Sequence, residues 1–141
     1  MTKIKICGLR REQDIRYANE LMPDYIGFVF LKGKMRYVTF EEAAHLRSLL
    51  DPAIPAVGVF VNEPAENVIR LLQAGTIQIA QLHGQEDEAY AEELRRAGDH
   101  CIIRAFAVRS SEDIHRAFAF PADYPLLDNG KGTGETFDWS L

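Results

Sequence analysis

A parallel-sheet α/β fold is predicted by three features of the sequence. Strand-like apolar runs and helix-like segments alternate six times along 141 residues, the connections between them are short, and no shift in composition marks a linker. A chain of this length forms one domain, residues 1–141, with a sizeable core.

The first strand covers residues 3–9, an alternating run that closes on Cys7 and Gly8. Gly8 lets the backbone leave the strand in conformations closed to other residues. Residues 11–22 read as a helix, with Ile15, Ala18, Leu21 and Met22 at helical spacing and Glu12 and Asp14 in the first turn, where the helix dipole favours acids. Pro23 stops it. Residues 25–30 are nearly all apolar, as expected of a strand covered on both faces. The loop that follows carries Lys32, Lys34 and Arg36, and Thr39 with Glu42 forms a capping box for a helix ending near Leu50.

Residues 56–61 are the third strand. Asn62 stands where it would cap the next helix, with Pro64 in the first turn and Gly75 at the end. The fourth strand, residues 77–82, runs into His83 and Gly84. Its helix opens with Glu86, Asp87 and Glu88 and closes with Arg95, Arg96 and Gly98, matching the helix dipole at both ends. Residues 101–108 form the fifth strand, and Ser110 or Ser111 caps a short helix to about Phe120. The sixth strand is residues 124–128, followed by a loop containing Gly130, Gly132 and Gly134.

Length favours an open doubly wound sheet, because a complete (β/α)8 barrel usually needs about 250 residues. The polar candidates argue the other way. Cys7, Arg36, His83 and Asp128 follow different strands, which is the habit of a barrel, and no glycine-rich fingerprint follows the first strand. Cys7 shares a strand face with Lys5, roughly 6–7 Å away, and a nearby ammonium favours the thiolate; a small buried hydrophobe is the competing reading. Arg36 is either a fork for a carboxylate or phosphate or a solvated loop charge. His83 can donate, accept or transfer a proton, or simply support the strand end. Asp128 follows Leu126 and Leu127, where a carboxyl partly removed from water holds its proton more readily; it also suits the start of a glycine loop. That loop lacks P-loop spacing and reads as a flexible lid.

With 16 basic and 21 acidic residues the net charge is −5, so no general attraction to nucleic acid or anionic membrane is expected. Cys7 and Cys101 lie in apolar runs without disulfide or zinc spacing, and no apolar stretch approaches the roughly 18 residues of a membrane span. A cytoplasmic protein is expected, without a signal peptide.

Several stretches together resemble phosphoribosylanthranilate isomerase, a (β/α)8 TIM-barrel family of tryptophan biosynthesis. They are Lys5-Ile6-Cys7-Gly8-Leu9, Gly27-Phe28-Val29-Phe30, Arg36-Tyr37-Val38, Val57-Gly58-Val59-Phe60-Val61-Asn62, Gln81-Leu82-His83-Gly84, Leu126-Leu127-Asp128 with Gly132-Thr133-Gly134, and Thr136-Phe137-Asp138-Trp139. The resemblance implies an Amadori rearrangement of N-(5-phosphoribosyl)anthranilate to 1-(2-carboxyphenylamino)-1-deoxyribulose 5-phosphate, without metal or cofactor. It implies Asp128 as general acid, Cys7 as general base, and Arg36 and His83 as substrate-binding residues. Lys34-Met35 stands where the family usually has Ser-Pro. Six strands fall short of eight, so the chain is expected to be the first six βα units, less the last helix. The isolated chain is then expected to be inactive and to associate through its first and sixth strands, whereas a complete enzyme is a monomer or homodimer. Another phosphosugar barrel enzyme, such as an indoleglycerol-phosphate synthase relative, has no need of the thiol base. A catalytically silent α/β binding or assembly module is the remaining alternative.

Overall fold

The computed structural model describes residues 1–130 and 136–141. Six parallel strands pair in sequence order: β1 (Lys5–Cys7), β2 (Tyr25–Val29), β3 (Ala56–Phe60), β4 (Ile79–Leu82), β5 (Cys101–Ala107) and β6 (Tyr124–Asp128). The connecting helices are α1 (Glu12–Leu21), α2 (Phe40–Leu49), α3 (Ala65–Gln73), α4 (Glu88–Arg96) and α5 (Ser111–Ala119). A doubly wound sheet reverses its strand order at a switch point. This order never reverses, so the sheet is a barrel wall, and the expectation from length alone is overturned.

The wall is curled. Lys5 on β1 donates a hydrogen bond from Nζ to Gln81 Oε1 on β4, although two strands lie between them. Three strand spacings in a flat sheet would separate those chains by roughly 14 Å. Side chains from every strand also line one interior cavity of ≈ 370 Å³, among them Lys5, Tyr25, Val57, Ile79, Ile103 and Leu126. Among the described residues β1 pairs with β2 alone and β6 with β5 alone, which leaves an open edge on each.

The alternate strand faces point outward into the main core. Ile26, Phe28, Phe60, Ala80, Leu82 and Ile102 pack there against Ile15 and Ala18 of α1, Ala43 and Leu46 of α2, Val68, Leu71 and Leu72 of α3, and Ala91 and Leu94 of α4. Every residue of β3 is buried, which explains its unbroken apolar sequence. Phe30 stacks on Phe60 at 5.1 Å and meets Phe40 edge-on at 5.4 Å, tying the start of α2 to the sheet.

Helix starts follow capping chemistry. Thr39 and Glu42 form the expected box, Asp87 accepts from Tyr90 N, and Ser110, rather than Ser111, caps α5. Two expectations fail. Pro64, not Asn62, is the N-cap of α3, because Asn62 adopts φ 53° and turns its Oδ1 to Gln85 N. Glu86 does not open α4; it is buried before it. Gly132, Thr133 and Gly134 of the glycine loop lie outside the described residues. No described helix is long and apolar enough to cross a membrane.

Candidate active site

In a parallel sheet all strands end on one rim, so residues following β1, β4 and β6 converge there. Cys7 is the last residue of β1, half-buried and in register with Gly27 of β2. A Cβ on Gly27 would lie 2.6 Å from Cys7 Sγ, so the sulfur occupies the space that glycine leaves empty. Gly8 then takes φ +89°, and the Arg36 side chain crosses directly over its missing side chain. Arg36 Nη1 donates to Cys7 O at 3.2 Å, which holds the guanidinium of an otherwise exposed loop residue at the mouth of β1. The loop itself is tied down by Arg10 Nη1, which donates to Met35 O at 2.6 Å.

The second half of the site follows β4 and β6. His83 Nε2 lies 3.0 Å from Asp128 Oδ2, and both groups are about one-third exposed. Gly130 N–H donates to the other oxygen of Asp128. His83, Asp128 and Gly130 line a cavity of ≈ 360 Å³ with Ala105, Ala107 and Arg116. Behind His83, its Nδ1 lies 3.2 Å from Nε2 of the buried Gln81, whose Oε1 receives the Lys5 ammonium. Burial pushes the Lys5 pKa below the usual lysine value, and the Coulombic influence of the neighbouring Cys7 opposes that shift.

A clamp in the loops after β3 and β4 supports His83. Glu86, buried just before α4, accepts from Asn62 N and from Gly84 N, each at 2.8 Å. Arg104 approaches the same loop from β5: its Nη2 donates to Gly84 O at 2.9 Å and its Nε to Glu86 O at 3.1 Å, while Nη1 donates to Ala105 O. Its guanidinium also lies over the Phe106 ring at 5.0 Å. A side chain on Gly84 would meet Asn62 Oδ1 at 2.6 Å, so this close approach of two loops requires glycine.

The family model described as N-(5'phosphoribosyl)anthranilate (PRA) isomerase matches residues 4–141. The chain belongs to this isomerase family. The N-(5'-phosphoribosyl)anthranilate isomerase of Thermoanaerobacter sp. (strain X514) is 42% identical over 146 residues, covering 100% of this chain and 70% of that relative. A crystal structure of phosphoribosyl anthranilate isomerase in complex with reduced 1-(o-carboxyphenylamino)-1-deoxyribulose 5-phosphate superposes with TM-score 0.84 at 32% identity, over 100% of this chain and 68% of that one. A structure of monomers generated from the dimeric enzyme of Thermotoga maritima gives TM-score 0.83 at 31% identity, over 100% and 68%.

For a phosphoribosylanthranilate isomerase, the four residues singled out from the sequence fall into two pairs. Cys7 and Arg36 meet at the end of β1, and His83 and Asp128 meet between β4 and β6. Lys5 and Gln81 connect the halves through the interior. Sequence reasoning missed Gln81, Glu86 and Arg104. Two of them carried a signal: Gln81 and Arg104 are polar residues inside otherwise apolar strand runs.

Proposed function

We propose that this chain catalyses the family's Amadori rearrangement with Asp128 as general acid and Cys7 as general base. The supporting observation is the 3.0 Å contact between His83 Nε2 and Asp128 Oδ2 at the mouth of a polar cavity, on the rim that also carries Cys7 and Arg36. In this reading protonated Asp128 gives its proton to the furanose ring oxygen of N-(5'-phosphoribosyl)anthranilate. The C1–O bond breaks and the nitrogen lone pair forms a Schiff base. The Cys7 thiolate then removes the proton from C2, and the resulting enolamine rearranges to the aminoketose. Arg36 grips the anthranilate carboxylate with two parallel hydrogen bonds, which its fork geometry suits. His83 holds Asp128 and faces the substrate.

The reading treats residues 1–141 as one partial barrel domain acting in the cytoplasm. The open edges of β1 and β6 lead us to expect that the 141-residue polypeptide associates in solution and turns over poorly by itself. Roles are therefore tested in whichever assembly turns over, the chain alone or the chain complemented by two further βα units. Cys7→Ala and Asp128→Asn are each expected to lower kcat about a hundredfold or more with little change in KM, followed by loss of substrate fluorescence. Near-normal turnover in either variant would remove that residue from the mechanism.

A further inference from the structure

We propose that Lys5 and Gln81 are positioning residues that fix neutral His83 as its Nε2–H tautomer and so aim a hydrogen-bond donor at Asp128. The inference rests on the reading of Asp128 as the acid. Its starting point is a group of unambiguous polarity, the Lys5 ammonium. An ammonium has three donors and no acceptor, so the side-chain amide of Gln81 must turn its oxygen toward Lys5. The amide nitrogen then faces His83 Nδ1 at 3.2 Å, and an NH2 group only donates. Nδ1 must therefore carry a lone pair. In a neutral imidazole the proton is left on Nε2, which lies 3.0 Å from Asp128 Oδ2.

The order matters for the reaction. When Asp128 releases its proton, negative charge develops on its carboxylate. The Nε2–H of His83 on one oxygen and the Gly130 N–H on the other then strengthen as that charge grows. The opposite tautomer would turn a lone pair toward the new carboxylate. Gln81 is buried and can adopt no other polarity while Lys5 occupies its oxygen, so the orientation is set from β1 across the barrel interior.

The test is a long-range 1H–15N correlation spectrum of the 141-residue chain, with His83 assigned by comparison with His83→Gln. In the unsubstituted chain His83 is expected to show a protonated Nε2 and an unprotonated Nδ1. Gln81→Glu has nearly the same shape and gives Lys5 an ion pair, but it presents an acceptor to Nδ1. That variant is expected to gain a proton on Nδ1, and its kcat to fall about tenfold or more with KM nearly unchanged. A protonated Nδ1 in the unsubstituted chain, or an unchanged Nδ1 in Gln81→Glu, overturns the proposal. Full turnover in Gln81→Glu with the tautomer moved overturns it as well. The spectrum is read without turnover, so Asp128→Asn assayed alongside judges the acid assignment separately.

Discussion

Substituting Gly27 by alanine probes the space on which Cys7 depends. The new Cβ would stand 2.6 Å from Cys7 Sγ and 3.3 Å from Cys7 Cα and Cβ. Non-bonded heavy atoms settle at about 3.5–4 Å, so the sulfur must retreat by about 1 Å. Overpacking on this scale costs about 1–3 kcal/mol. In a Cys7→Ala background the shortest contact disappears and only the 3.3 Å contacts remain. There the same substitution is expected to cost less than about 1 kcal/mol, leaving a coupling of about 1–2 kcal/mol, which is usual for residues in contact. The assay is urea unfolding under reducing conditions of four proteins: the parent, each single variant and the double variant. Equal destabilisation in both backgrounds would refute the argument that the thiol fills the space over Gly27. A catalytic consequence follows, since moving a reacting group by about 1 Å can cost about a hundredfold in rate. Gly27→Ala alone is therefore expected to lower kcat on that scale while Cys7 is still present.

Arg36→Lys keeps the charge but loses the two-pronged geometry, so KM should rise more than kcat falls; steady-state kinetics with the reverse pattern would rule out a carboxylate clamp. Arg104→Met removes the donors that hold Gly84 and Glu86 by their carbonyls, and a loss of about 2–3 kcal/mol is expected by urea unfolding, together with a lower kcat as His83 loses its support. Unchanged stability would mean that water replaces the guanidinium without cost. The third concerns acid. The Arg11 guanidinium lowers the Asp14 pKa, and the Arg109 backbone N–H, followed by the Arg116 guanidinium, lowers that of Asp113. Both folded values lie below the unfolded ones, so the folded state binds fewer protons as pH falls. Their stabilisation is complete above an unfolded value of about 4 and is lost as pH drops through the folded values. Asp14→Asn combined with Asp113→Asn should flatten the acid arm of the melting temperature below about pH 5. An acid arm as steep as the parent's would show that other carboxylates set it.

The sequence by itself determined the order of elements, because burial on one or both faces of a strand and on one stripe of a helix leaves a local pattern. Strand β6 spans the expected residues, the other strands differ by a few terminal residues, and the cap Thr39 was read from Glu42 three residues away, whereas Asp87 was read only as one of the acids opening its helix. Cys7 and Asp128 were legible for a similar reason: each ends an apolar run next to residues that let the backbone turn. Only the tertiary structure decided who meets whom. Asn62 looks like a cap in sequence, yet its partner is Gln85, on a loop reached through a whole helix and strand. Glu86 looks like a first-turn acid, yet its carboxylate is consumed by two backbone amides of converging loops. Lys5 and Gln81 are 76 residues apart and sit on non-adjacent strands. Periodicity places both on strands, but only the curl of the sheet, set by the summed twist and stagger of successive strand pairs, brings them into contact and gives His83 its orientation.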